Sequence, residues 1–157
     1  MEITDNIETL REVDIEIVSK IHKACFFDAW SPNVIRKILN TNGAFGMVAR
    51  HRTDKSIVGF AIARIAADEC ELLSLGVASE NRANGAGGSL LSAVIIRAMA
   101  ERARWLFLEV AEDNYVALKL YATQGLKRVG QRLNYYENSD GSRTNAITMR
   151  CALPYSK

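Results

Sequence analysis

Apolar residues along this chain recur at two spacings, and the switches between them mark its elements. Around residues 8–24, Leu10, Val13, Ile17, Ile21 and Cys25 fall three or four apart, which predicts a first amphipathic helix. Ser31 as N-cap and Pro32 at the first helical position open a second helix to about residue 39. Strands are predicted at about 44–51, 56–66 and 70–77, with turns at Thr53-Asp54-Lys55 and Asp68-Glu69. A third helix, about 86–102, puts Leu90, Leu91, Val94, Ile95, Ala98 and Met99 on one stripe, with Arg97, Glu101 and Arg102 outside it. Trp105-Leu106-Phe107-Leu108-Glu109-Val110 is apolar on both faces, as a central parallel strand requires. Asn114 caps a fourth helix to about residue 124, and Gly125 ends it. Strands at about 127–136 and 143–152 flank the polar turn Asn138-Ser139-Asp140-Gly141. This order predicts an α/β chain around a single mixed sheet, antiparallel except for one strand-helix-strand unit.

At 157 residues, the chain is expected to form one domain over 1–157, large enough for an ordinary hydrophobic core. Its hydrophobic fraction of 48% and charged fraction of 24% are those of a globular protein. A net charge of +2, without a block of like charges, gives no ground for a nucleic-acid partner. No run of 18 apolar residues suggests a membrane span. Met1-Glu2-Ile3-Thr4-Asp5 lacks the basic and apolar regions of a signal peptide. Cys25, Cys70 and Cys151 are an odd set without metal spacing, so they read as free thiols in a reducing, cytoplasmic compartment, and no metal is expected.

One segment changes this picture. Asn81-Arg82-Ala83-Asn84-Gly85-Ala86-Gly87-Gly88-Ser89 puts three glycines where a helix begins. First-turn N–H groups have no partner inside a helix, and the macrodipole makes that end partly positive. Glycines let the main chain approach an anion, Arg82 adds a charge, and the arrangement suits a pyrophosphate. A Walker-type loop would need Gly-Lys-Ser/Thr, absent here. A dinucleotide fingerprint would need a third glycine at Leu90 and a turn directly after the strand, whereas residues 78–84 intervene. The plain alternative is a glycine-rich helix start that only permits close packing.

Two side chains are candidates for proton transfer. Glu109 is the only charge in its strand and shares a face with Trp105 and Phe107, the setting of a general base. Its alternative is a strand-end acid facing solvent or paired with an arginine. Tyr121 shares a helical stripe with Leu118 and Ala122, so its ring faces the protein. A phenol's reference pKa of about 10 lies a little above a thiol's at about 8.5, so it can hand a proton to a departing thiolate. A core tyrosine with a bonded hydroxyl is the other reading. Asn114 is either a helix cap or a cap that also meets a ligand amide.

These pieces resemble a family pattern. Arg82-Ala83-Asn84-Gly85-Ala86-Gly87 is similar to the Gln/Arg-x-x-Gly-x-Gly/Ala pyrophosphate loop of the GCN5-related N-acetyltransferases, between their fourth strand and third helix. Over nearly its whole length the chain resembles the bacterial ribosomal-protein-alanine N-acetyltransferases. The similar stretches include Phe27-Asp28-Ala29-Trp30-Ser31, Leu108-Glu109-Val110, Asn114, Leu120-Tyr121, Asn134-Tyr135-Tyr136 and Asp140-Gly141. The resemblance implies a fold in which the fourth and fifth strands splay apart. It implies that Leu75, Gly76 and Val77 present main-chain groups to acetyl-CoA. Ala83, Asn84, Gly85, Ala86, Gly87 and Gly88 would hold its pyrophosphate with Arg82, and Asn114 would touch its pantetheine arm. Glu109 becomes the base, Tyr121 the acid, and Trp30, Tyr135 and Tyr136 contacts for the acceptor peptide. Ala83 stands where relatives carry a long side chain, and Ser142-Arg143-Thr144-Asn145 replaces a more acidic turn.

The expected function is direct acetyl transfer from acetyl-CoA to the N-terminal alanine of a small-subunit ribosomal protein. Rivals are a small-amine acetyltransferase, acting on an antibiotic, polyamine or amino acid, and a non-catalytic acetyl-CoA-binding module.

Overall fold

A strand that is apolar at successive positions buries both faces only in the middle of a sheet. Ile57-Val58-Gly59-Phe60-Ala61-Ile62-Ala63 is such a stretch, and the computed structural model, which describes residues 4–154 other than Ala83, places it there. The strands are β1 (Thr4–Thr9), β2 (Ala44–His51), β3 (Ile57–Ala66), β4 (Glu69–Val77), β5 (Trp105–Ala111), β6 (Lys127–Glu137) and β7 (Arg143–Ala152). They form one sheet in the order β1-β2-β3-β4-β5-β7-β6. Every neighbouring pair is antiparallel except β4–β5, which is parallel. The helices are α1 (Ile15–Cys25), α2 (Pro32–Leu39), α3 (Ala86–Ala100) and α4 (Tyr115–Thr123).

Strand alternation sends successive side chains to opposite sides, and each side has its own core. Ala61 and Ala63 of β3 join Leu106, Leu108 and Val110 of β5 under Leu90, Leu91 and Val94 of α3 and Tyr121 of α4. Phe60 and Ile62 face the other way, against Ile15, Val18 and Ile21 of α1 and Ile35 of α2. Glu109, one residue from Leu108, therefore emerges on the α1–α2 side.

The parallel pair is incomplete. β4 and β5 are in register at Glu69/Trp105, Cys70/Leu106, Glu71/Phe107 and Leu72/Leu108 and then part, although β4 runs on to Val77. On its other edge β4 keeps β3 to Gly59/Val77, but Ile62 pairs with Ser74 and Ala63 with Leu72, so Leu73 is an extra residue. Such a bulge bends the strand that carries it. The bend falls where β5 is lost, and the splay implied by the family resemblance is present.

The N-terminal helix differs from the expectation. Residues that were to start it form β1, and a short 3-10 turn (Glu12–Asp14) precedes α1. The buried face of α1 is Ile15, Val18, Ile21 and His22, whereas Val13 and Ile17 are exposed. The sequence offers two stripes one residue out of phase, and the buried Asp14 decides between them: it accepts from Arg11 N–H at 2.9 Å and pairs with Arg50 at 2.9 Å. That anchor fixes the helix start and its rotation. The polar, one-sided β1, paired only with β2, gave no strand pattern to read.

His22 locks α1 to the loop before α2. Its Nδ1 accepts from Trp30 N–H at 3.1 Å, and the two rings stack at 4.6 Å. Burial lowers its pKa to about 4, against the opposing charge of Asp28. In the unfolded chain the imidazole takes up a proton near pH 6.5, so the unfolded state binds more protons between about pH 6.5 and 4. Stability should therefore fall as pH drops through that window, by on the order of 2–3 kcal/mol from this group. Urea unfolding at pH 7 and pH 4.5 checks this; the pH dependence should flatten in His22→Phe, and an unchanged dependence would assign it to other groups.

Candidate functional site

The separated end of β4 carries main-chain groups without a strand partner on the β5 side. Ala78 N–H donates to Val58 O at 2.8 Å, so by alternation Gly76 turns its main-chain groups to β3 while Leu75 and Val77 turn theirs into the opening. Gly76 has a separate reason to be glycine: a Cβ there would sit 2.8 Å from the Phe60 ring and 3.2 Å from Cys25 Sγ. Val77 O accepts from Arg82 Nε at 3.1 Å and from the Cys25 thiol at 3.5 Å, and Arg82 also reaches Cys25 Sγ at 3.4 Å. Arg82 thus ties the loop to the end of β4.

After Val77 a short 3-10 turn (Ser79–Asn81) leads to α3. Gly85 sits before its first residue at φ 87°, and no side chain caps this end. The N–H groups of Ala86, Gly87 and Gly88 are those a helix leaves unpaired. Nothing lies within 4 Å of a Cβ built on Gly85, whereas one on Gly87 would be 3.2 Å from Leu120 Cδ2 of α4. Close packing therefore accounts for Gly87, and the left-handed turn with open space for Gly85. Ala83 lies outside the described residues.

Glu109 stands at the end of β5, beyond the last pair with β4. Its side chain is 17% exposed, and Arg132 Nε of β6 lies 2.8 Å from its Oε2. The N–H is not directed along that line, so Oε2 is buried without a hydrogen-bond partner. The arginine-paired alternative is thus what the geometry shows. Glu71 of β4 lies close by: burial raises its pKa and the Glu109 charge adds to this, while Arg64, 3.5 Å away, and Arg132 oppose it.

The tyrosines converge on the same place. Burial raises Tyr136 to about 12, with the Glu109 charge as the next cause. Burial likewise raises Tyr121, 6% exposed, to about 12, with Tyr136 contributing. Tyr135 meets Tyr136 edge-on at 5.1 Å and lies under Arg132 at 5.0 Å. Tyr135 lies in a distorted stretch of β6 that Tyr136 closes. Arg132 pairs with Ala146 and Tyr136 with Thr144, so three residues of β6 oppose only Asn145. Asn134 turns left-handed there at φ 54°. Its N–H donates to Asn145 Oδ1 at 2.8 Å, and Asn145 Nδ2 donates to Glu112 at 3.1 Å. One amide therefore fastens the bulge to the loop after β5. Ser142 and Thr144 are also spoken for, through Asp140 and Asn138.

A sheet split between a parallel pair, an uncapped glycine helix start at one end of the split and a carboxylate at the other now have a counterpart among known proteins. Residues 15–126 match the model of the Acetyltransferase (GNAT) family. The chain belongs to the GNAT acetyltransferase family. It is 35% identical over 91% of its length to the [Ribosomal protein bS18]-alanine N-acetyltransferase of Haemophilus ducreyi, covering 97% of that protein. The crystal structure of the ribosomal-protein-S18-alanine N-acetyltransferase from Escherichia coli superposes with a TM-score of 0.85 at 25% identity, over 97% of this chain and 96% of that one. Ard1 from Thermoplasma volcanium superposes at 0.84 with 26% identity, over 95% of this chain and 97% of that one.

In this GNAT acetyltransferase, an acetyl-CoA-dependent N-acetyltransferase, the structure groups Glu109, Tyr135, Tyr136 and, through Tyr136, Tyr121. Trp30 lies apart, on His22 under α1. Asn114 is a cap: its Oδ1 accepts from Ala117 N–H at 3.2 Å. The stripe of α4 is rotated from the expectation, since Ala122 is exposed and Leu120 packs inward beside Leu118 and Tyr121. Reading the sequence missed Arg132 and Glu71, and noted Asn145 only as part of the turn that follows Gly141. The nearest signal for Arg132 was its place two residues before Asn134-Tyr135-Tyr136. Among the described residues no helix is long and apolar enough to cross a membrane. Gly76→Ala should cost about 1–3 kcal/mol, because the fully buried Phe60 ring cannot yield. Gly88→Ala, whose nearest neighbour is 3.8 Å away, should cost less than about 0.5 kcal/mol in the same urea titration.

Proposed function

We propose that this protein acetylates the N-terminal α-amine of a ribosomal protein that begins with alanine, the counterpart of bS18. The reading rests on full-length similarity to the bS18-alanine enzymes, with 35% identity in the H. ducreyi case. The site agrees with it in kind, for its acceptor side is built from tyrosines on an open hairpin rather than from a closed acidic pocket.

Acetyl-CoA fits the residues present. The unpaired amides at Ala86, Gly87 and Gly88, with Asn84, Gly85, Ala83 and the charge of Arg82, receive the pyrophosphate. The main-chain groups of Leu75 and the N–H of Val77, which face the opening, serve as the strand partner of the pantetheine arm, while Val77 O stays with Arg82. Asn114, fixed as the cap of α4, meets that arm from the other side. Tyr135 and Tyr136 frame the acceptor peptide.

A peptide α-ammonium has a pKa near 8 and is mostly protonated at pH 7, so it needs a base. Glu109 removes a proton from the ammonium. The freed amine attacks the thioester carbon, the C–N bond forms, and main-chain N–H groups of β4 stabilise the oxyanion. The C–S bond then breaks as the nitrogen loses its second proton to solvent and the sulfur takes one through Tyr121, which regains its own from solvent. Tyr121, held at about 12, stays protonated at every working pH. That value is further above a thiol's than the reference phenol, so its contribution is a hydrogen bond to the departing sulfur that completes as proton transfer when the charge develops. The buried Cys70 thiol is pushed to about 12, a poor nucleophile, so it is no candidate to carry an acetyl-enzyme.

Glu109→Gln should bind acetyl-CoA with unchanged affinity while turnover falls about 10²-fold or more, read by thiol release and calorimetry. An undiminished rate would remove Glu109 as the base. Tyr121→Phe should lower kcat by at least about tenfold with little change in cofactor affinity; a loss confined to stability would make it a core residue only. Thiol release with alanine-initiated peptides against spermidine and free amino acids tests the acceptor, as does mass spectrometry of ribosomal N-termini in cells lacking the gene. Release with the small amines alone would overturn the peptide reading.

A further inference from the structure

We infer that Arg132 is the acceptor's internal competitor: its guanidinium occupies the place on Glu109 that the substrate ammonium must take, and the arriving cation displaces it. This rests on the reading of Glu109 as the group that receives the acceptor amine.

The contact is made for exchange. Arg132 Nε lies 2.8 Å from Glu109 Oε2, close enough to hold the charge, yet the buried oxygen has no hydrogen bond from it. A buried acceptor left without a donor is costly, and an ammonium carries three rotatable donors that can be aimed at it. The incoming group therefore supplies what the arginine does not. Arg132 also has somewhere to go. Its side chain is 59% exposed, it stands at the start of the bulge in the edge strand β6, and the Tyr135 ring lies 5.0 Å from its guanidinium. A cation over that ring keeps part of its electrostatic stabilisation after leaving the carboxylate.

The surroundings explain why a neutral group would not serve. Glu71 feels the negative charge of Glu109 and the positive charges of Arg64 and Arg132. If Arg132 moved away with nothing charged in its place, Glu71 and Glu109 would lose one of the cations that offset their mutual repulsion. An α-ammonium restores the balance; an acetylated N-terminus does not. The same arrangement favours release of the neutral acetylated peptide, because Arg132 returns to Glu109 once the positive charge is gone.

The test uses the full chain with CoA bound and a peptide beginning with alanine in two forms, free α-amine and N-acetylated, its affinity measured by fluorescence anisotropy near pH 6.5. In Arg132→Gln the free-amine peptide should bind about fivefold tighter, with a matching fall in acceptor KM, while the acetylated peptide changes by less than about twofold. Arg132→Lys, which keeps a competing cation, should return the free-amine affinity to near the parent value. Equal shifts for both peptides, no shift, or weaker binding of the free amine would overturn the inference. Failure of the parent protein to bind either peptide would sink the acceptor reading and this inference together, whereas parental binding with a charge-blind response sinks only this one.

Discussion

Everything in this molecule that bears on chemistry follows from two parallel strands that cannot stay together. β4 and β5 share four residue pairs, and then the extra residue at Leu73 bends β4 off the line of its neighbour. Main-chain polar groups without partners are costly when shielded from water, so a sheet tolerates such a gap only where something else fills it. The remaining pairings make the gap affordable: β4 is held by β3 to its last residue, and β5 by β7 to Ala111. The opening is thus rigid on both sides, which is what a site for an extended polar chain needs.

Charge is arranged around the gap with a similar economy. At one end a helix start offers amides and Arg82, itself tethered to Val77 O. At the other, Glu109 lies among Arg132, Glu71 and the tyrosines. Burial raises both Tyr121 and Tyr136 to about 12, so neither contributes charge at neutral pH. The charges that meet around Glu109 and Glu71 therefore include the carboxylate of Glu69 and the guanidinium groups of Arg64 and Arg132, and an arriving cation changes their balance.

Much of this architecture was legible in the sequence because local rules and tertiary demands agree there. Ser31-Pro32 starts α2 with the hydroxyl accepting from Val34 N–H, and the strands at 44–51 and 143–152 have the expected limits. Glu109 stood out in the sequence as the lone charge of an apolar strand, and the arginine beside it is one of the alternatives that reading left open. The failures share a cause. The phase of α1 depends on Asp14 meeting Arg50, thirty-six residues away, and no periodicity encodes that. The distortion of β6 was invisible because its residues alternate acceptably on paper, while the register is set by an asparagine on the opposing strand. Arg132 was overlooked for the same reason: its partner is reached only after that register is known.

The bulge has a further meaning for how such a protein diversifies. Leu133, Asn134 and Tyr135 stand outside the regular ladder, bracketed by intact pairs at Arg132/Ala146 and Tyr136/Thr144 and fastened by one side-chain amide. Replacing those three residues would remodel what greets an incoming polypeptide while the sheet, the split and the carboxylate keep their coordinates. Taste for a new N-terminus can thus evolve in one short segment, at little risk to the rest of the fold.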